Sequence, residues 1–174
     1  MRWYGFIIIF LVSTVFSNLL LTTRFDAPEN IFVLKNLSLP EGELKVFDRP
    51  GTFLSAETMP KQPLILFFFA SWCRPCYFEA PIIAKLSKRH DVPFIGIAVR
   101  DTPEKLEKFL EKTDNPFLFV ALDPKTEWTA AMHADKLPTA FILNSKREVV
   151  AKINGILTED FYFQKILPFI RELK

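Results

Sequence analysis

The sequence predicts an α/β sandwich built on a mixed sheet, and three observations carry that prediction. Residues 64–70, 92–99 and 117–122 are short, continuously apolar runs of the kind that form strands buried on both faces. Segments of helical pattern separate them, the alternation that lays strands parallel between helices. The chain then closes on two strands joined by Asn144-Ser145-Lys146-Arg147, a hairpin and therefore antiparallel, followed by a last helix. With 174 residues, 49% of them apolar and 19 of them Phe, there is material for one domain with a sizeable core plus an extension. A net charge of +2, with the basic residues spread along the chain, argues against nucleic-acid binding.

Taken in order, residues 3–23 come first: uncharged, mostly apolar, with Arg2 before them and Arg24 after. A bilayer-crossing helix needs about 20 such residues. They read either as an uncleaved anchor with Arg2 in the cytoplasm or as a signal peptide cut near Val15-Phe16-Ser17. The apolar run continues through Leu19, Leu20 and Leu21, past that point, which favours the anchor. Under both readings residues 25–174 form an exported domain, in a compartment where disulfides form. Residues 31–34 are expected as a strand that pairs with residues 43–47 across Pro40-Glu41-Gly42, a hairpin extension over residues 30–60. Arg49-Pro50-Gly51 marks another turn, and Pro60 and Pro63 argue against a long element before residue 64.

The strand at 64–70 leads into a helix from near Cys73 to Lys88, where Pro81 removes a backbone hydrogen bond and predicts a kink. After the strand at 92–99, Thr102-Pro103-Glu104 opens a helix to Lys112, with Thr as cap and Pro at the first position. The strand at 117–122 is followed by Asp123-Pro124 and a short helix to His133. Residues 140–143 and 148–153 are the hairpin strands; Thr158-Glu159-Asp160 caps the last helix, with a kink expected at Pro168.

Both cysteines of the chain, Cys73 and Cys76, stand at the junction of a buried strand and a helix. That is where a redox-active dithiol belongs. The thiolate is the attacking species, and a helix N-terminus offers it unpaired N–H groups and the positive end of the helix dipole. Cys73 is therefore expected to ionise below the free value of about 8.5, with Arg74 adding a cation and Pro75 suited to a first helical turn. Cys76, about one turn further on, is close enough to resolve the mixed disulfide that Cys73 forms. Two other readings compete. A structural zinc site needs four ligands, and His90 and His133 do not form an H-x3-5-H pair with which to complete it. A purely structural disulfide would close a very short loop and stabilise little.

The run WCRPCYFEAP, followed by LPTAFIL and NGILTED before a final helix, resembles the thioredoxin superfamily. More narrowly it is similar to the membrane-anchored cytochrome c maturation thioredoxins, the CcmG/DsbE, ResA and TlpA group, whose pattern is W-C-x-P-C-x-x-E-x-P. The resemblance covers the chain from Ile31 onward, including a central insertion between Val99 and Leu137. It implies a thioredoxin fold, with Cys73 as the exposed nucleophile, Cys76 as the resolving thiol and Trp72 covering the disulfide. Glu79 would be the acid held near the dithiol. Pro138 would be a cis-proline facing the cysteines, between Leu137, which pairs with the extended substrate, and Thr139. Substrate contacts would come from Trp72, Arg74, Pro75, Leu137, Pro138 and Thr139. Thioredoxins carry a buried Asp six residues before the nucleophile; here that position is Phe67. Ala134-Asp135-Lys136, before the expected cis-proline, is nearer the ResA form. His90 and His133 read as surface residues.

The function expected from this is thiol–disulfide exchange by a single-pass protein of the bacterial inner membrane, its domain facing the periplasm, with no metal or organic cofactor. Its substrate would be apocytochrome c or another disulfide-bearing exported protein, and a membrane carrier of the DsbD/CcdA type would supply electrons. An oxidase or isomerase working in another direction is one rival. A non-catalytic chaperone or binding module of the same fold is another, separated from both enzymes by dithiol-dependent turnover.

Overall fold

A computed structural model of the protein describes residues 31–89 and 92–173. The expected membrane span at 3–23 and His90 lie outside these residues; among the described residues no helix is long and apolar enough to cross a membrane.

Six consecutive apolar residues, buried on both faces, make β4 (Leu64–Phe69) the centre of the sheet. Its other strands are β1 (Phe32–Val33), β5 (Phe94–Val99), β6 (Phe119–Asp123), β7 (Thr139–Leu143) and β8 (Val149–Asn154), in the order β1-β8-β7-β4-β5-β6. β4, β5 and β6 run parallel, whereas β7, β8 and β1 are each antiparallel to their neighbours. The mixed α/β sandwich is thus as the pattern predicts.

The pleat sorts β4 into two cores. Ile65, Phe67 and Phe69 meet the face covered by α1 (Arg74–Arg89), α2 (Pro103–Thr113) and the C-terminal helix. Leu64, Leu66 and Phe68 meet α3 (Glu127–Ala131), through Trp128, and the small ribbon of β2 (Leu44–Lys45) and β3 (Phe53–Leu54). Phe67, where thioredoxins keep an Asp, is 2% exposed and packs its ring against Phe69 and Phe117. Gly96 on β5 has no room for a side chain: a Cβ there would stand 2.9 Å from Phe69 and 3.0 Å from Phe117. Gly96→Ala is expected to cost about 1–3 kcal/mol, the usual range for overpacking, read as a lower urea midpoint at unchanged slope.

The N-terminal hairpin differs from expectation. Residues 31–34 do not pair with 43–47. β1 instead adds to the sheet edge, with Phe32 opposite Lys152 and Val33 opposite Ala151. The hairpin is β2–β3, with Leu44 opposite Leu54, closed by Arg49-Pro50-Gly51. The reason is burial: Leu44, Val46 and Leu54 need the second core to cover them, and β6 receives this ribbon through the Phe47 N–H to Val120 carbonyl bond, 2.7 Å.

The helix starts also depart in detail. Thr102 sits at the cap position of α2 without a capping bond from its side chain. Asp123 caps α3 instead of merely preceding it, accepting from the Glu127 and Thr129 N–H groups at 2.9 and 2.8 Å. Thr158 does cap its helix, accepting from the Phe161 N–H. α1 continues as one helix through Pro81. In the last helix, α4 (Glu159–Phe161) and α5 (Leu167–Glu172) are joined by a π-helical turn (Tyr162–Ile166) immediately before the turn holding Pro168. A proline has no N–H to continue the ladder, and the widened turn precedes it.

Candidate active site

β4 ends at Phe69, and the chain turns at once: the Cys73 N–H donates to the Ala70 carbonyl, 3.1 Å. α1 begins at Arg74, so Cys73 directly precedes the helix and Cys76 lies in its first turn. The two are joined as a disulfide, with Cα atoms 5.3 Å apart. The Cys76 N–H is shared at the helix start: it donates to the Cys73 carbonyl at 3.1 Å and to Cys73 Sγ at 3.3 Å. Negative charge on that sulfur is thus met by a fixed N–H and the helix dipole. Cys73 was expected to be exposed; with the disulfide closed it keeps only 5% of its surface, against 1% for Cys76. Both cysteines are thus buried while the disulfide is closed, and their exposures differ by a small margin. Arg74 is exposed and Pro75 is half-buried in the first turn.

Trp72 is not part of the core: it is 54% exposed. Its indole N–H donates to the Arg100 carbonyl at 3.3 Å, and the Arg100 guanidinium lies 5.9 Å from its ring centroid. The adjacent Asp101 holds the same loop. One carboxylate oxygen accepts from the Ser71 N–H at 2.5 Å and the other from the Ser71 hydroxyl at 2.7 Å. The turn after β5 therefore clamps the two residues that precede Cys73. Sequence reading passed over Asp101 and Arg100. The available signal was an acidic residue at the end of a buried strand parallel to the one carrying the cysteines.

The proline expectation is met, since Leu137–Pro138 is a cis peptide. Thr139 opens β7 opposite Phe68, which sets Pro138 beside the end of β4 and the turn to Cys73. Leu137 is half-buried, and the Thr139 hydroxyl donates to the Lys136 carbonyl at 2.6 Å, tightening this turn. Lys152 on β8 braces the approach by donating to the carbonyl of His133, itself an exposed residue, at 2.5 Å.

Glu79 is fully buried on α1, three residues after Cys76 and so on the same face of the helix. One oxygen accepts from the Leu157 N–H at 2.6 Å; the other has no hydrogen-bond partner among the described residues. Burial pushes its carboxyl well above the ordinary 4.5, and the Leu157 N–H offsets this only in part. The segment that supplies Leu157 also reaches the proline turn, where the Gly155 N–H donates to the Pro138 carbonyl at 3.2 Å. The buried acid and the cis-proline turn are thus linked through one short loop. No group of His, Cys, Asp and Glu suited to a metal occurs among the described residues.

Residues 35–165 match the family model described as Redoxin. This chain belongs to the redoxin family. Within that family it is of the DsbE/ResA-like thioredoxin kind. The thiol-disulfide oxidoreductase ResA of Bacillus cereus is 30% identical over 149 residues, covering 82% of this chain and 78% of the relative. The thiol:disulfide interchange protein HelX of Rhodobacter capsulatus is 27% identical over 131 residues, covering 75% and 74%. The fold is shared with a secreted thiol-disulfide isomerase from Corynebacterium glutamicum, with a TM-score of 0.67 at 19% identity, over 86% of this chain and 98% of that one. This redoxin-family chain is accordingly a thioredoxin-like thiol–disulfide oxidoreductase.

Proposed function

We propose that the chain is an exported, membrane-anchored reductase that opens the disulfide of the haem-binding Cys-x-x-Cys-His site of apocytochrome c during cytochrome c maturation. The observation that carries this reading is Glu79, a buried, hard-to-ionise carboxyl on the same helix face as the resolving cysteine. In the reduced chain the Cys73 thiolate attacks one substrate sulfur, forming a mixed disulfide and expelling the other sulfur as a thiolate. Glu79 takes the proton from Cys76, for which a carboxylate of raised basicity is better suited than an ordinary one. The Cys76 thiolate attacks Cys73 Sγ, closing the intramolecular disulfide and releasing the second substrate thiolate. Two electrons pass to the substrate, and a membrane dithiol carrier of the DsbD/CcdA type restores them. Trp72, Arg74, Pro75 and the Leu137–Thr139 turn form the rim on which the substrate lies, with Leu137 pairing to its backbone like an added strand.

The reading is tested with a peptide carrying an oxidised Cys-x-x-Cys-His site. The reduced chain is expected to reduce it with one chain oxidised per peptide, and faster than it reduces a disulfide peptide without that site. Equal rates on both peptides would remove the cytochrome c assignment, and no reduction of either would remove the reductase.

A further inference from the structure

The chain enters the domain at the same end of the sheet as the cysteines. β8 runs toward Asn154, which faces Thr139 beside the active-site turn, and β1 runs antiparallel to β8 with Phe32 opposite Lys152. The start of β1 therefore lies at the catalytic end. Three inter-strand steps separate β1 from β4, about 14 Å at about 4.8 Å each. Only residues 25–30 stand between Arg24, at the end of the apolar segment, and Ile31. Seven Cα–Cα steps reach about 25 Å at most. A domain of this size is about 40 Å across. A tether shorter than the domain, attached at the catalytic end, cannot leave that end on the far side from the membrane.

The point of attachment is also apolar. Phe32 is 52% and Val33 65% exposed, Val33 being the most exposed of the large hydrophobic side chains described, and the outer edge of β1 pairs with no other described strand. Lys35, just beyond, is exposed and suits an anionic lipid headgroup. Two apolar side chains are too few to bind a bilayer from solution. On a tether they need not, because the tether supplies a high effective concentration of the surface.

We propose that the Phe32–Val33 edge rests on the bilayer that holds residues 3–23, so that the Cys73–Cys76 pair is presented to disulfides and dithiols at the membrane surface. This rests on the anchored reading above.

The test uses the reduced full chain reconstituted in vesicles and one aryl disulfide supplied in two forms, free in solution or linked to a phosphatidylethanolamine headgroup. Each turnover oxidises the Cys73–Cys76 dithiol and reduces one probe disulfide to two thiols. The lipid-linked probe is expected to react about tenfold faster than the free one at equal bulk concentration, as an effective-concentration gain. Phe32→Ser with Val33→Ser should lower that ratio severalfold while the free-probe rate stays unchanged. A ratio near one in the unaltered chain would overturn the orientation, and a ratio that survives the double substitution would overturn the lipid contact. Equal slowing on both probes would assign the edge to substrate binding and overturn it as well. Release of the chain by alkaline carbonate would show instead that residues 3–23 do not anchor it, a failure of the underlying reading that is separate from the others.

Discussion

Cys73→Ala reduces disulfide exchange to the background rate, and Cys76→Ala stops it at the first bond formed. The asymmetry follows from the helix start. Cys73 Sγ receives the Cys76 N–H at 3.3 Å and retains the larger share of exposed surface, whereas Cys76 is 1% exposed within the first turn. These two features favour Cys73 as the attacking thiolate in the proposed exchange. Without Cys76 the mixed disulfide has no internal thiol to resolve it, so it accumulates and is seen as a covalent chain–substrate species on a non-reducing gel. Alkylation of the reduced chain should modify Cys73 first. Faster alkylation of Cys76, or a trap formed by Cys73→Ala, would reverse the two roles.

Glu79→Gln slows resolution of the mixed disulfide by about 10²-fold, the low end of what a positioned general base contributes. Formation of the mixed disulfide should be much less affected, a split that a purely structural residue would not produce. Stability shifts the other way. The carboxyl is raised by burial above 4.5, so the folded state holds its proton more tightly than the unfolded chain does. Its contribution is intact at low pH and is lost as pH climbs from the unfolded value through the folded one. Across that window the loss is about 1.4 kcal/mol per pH unit. The Gln variant keeps an oxygen for the Leu157 N–H and has nothing to ionise, so its stability relative to the parent should rise with pH across the window and then level off. Urea midpoints of the two chains at a series of pH values measure this. Parallel profiles would mean that Glu79 ionises without penalty and is not the buried acid described.

The parts of the site legible in the sequence were those with local signatures. Six apolar residues announce β4, and Cys-x-x-Cys after them announces the helix start, because burial and helix capping act over a few residues. The cis peptide before Pro138 was reachable only through resemblance, since few X–Pro bonds are cis. What local pattern could not carry was pairing across the chain. Residues 31–34 look equally ready to join 43–47 or any open edge; the choice of β8 depends on the assembled sheet. Asp101 was hidden for the same reason, since its partner Ser71 is remote in sequence and near only because β4 and β5 lie side by side. Glu79 carried a motif, but its complete burial and its bond to Leu157 depend on the loop after β8 closing over α1. Thr102 shows the opposite case, a cap legible in sequence whose side chain makes no capping bond, while the neighbouring Asp101 accepts from the Thr102 N–H at 3.0 Å.

The equilibrium redox potential of the Cys73–Cys76 pair tests the reductase account most directly. Direction depends on how strongly the reduced form is stabilised. Strong oxidants such as DsbA hold a very acidic thiolate, with pKa about 3.5. Here Pro75 precedes Cys76 as in reducing thioredoxins, and Arg74 is exposed, its field screened by salt. The chain equilibrated against a dithiothreitol or glutathione buffer should give a potential nearer the thioredoxin value of about −270 mV than the DsbA value of about −120 mV. A potential close to the DsbA value would contradict the reductase and make the chain an oxidant.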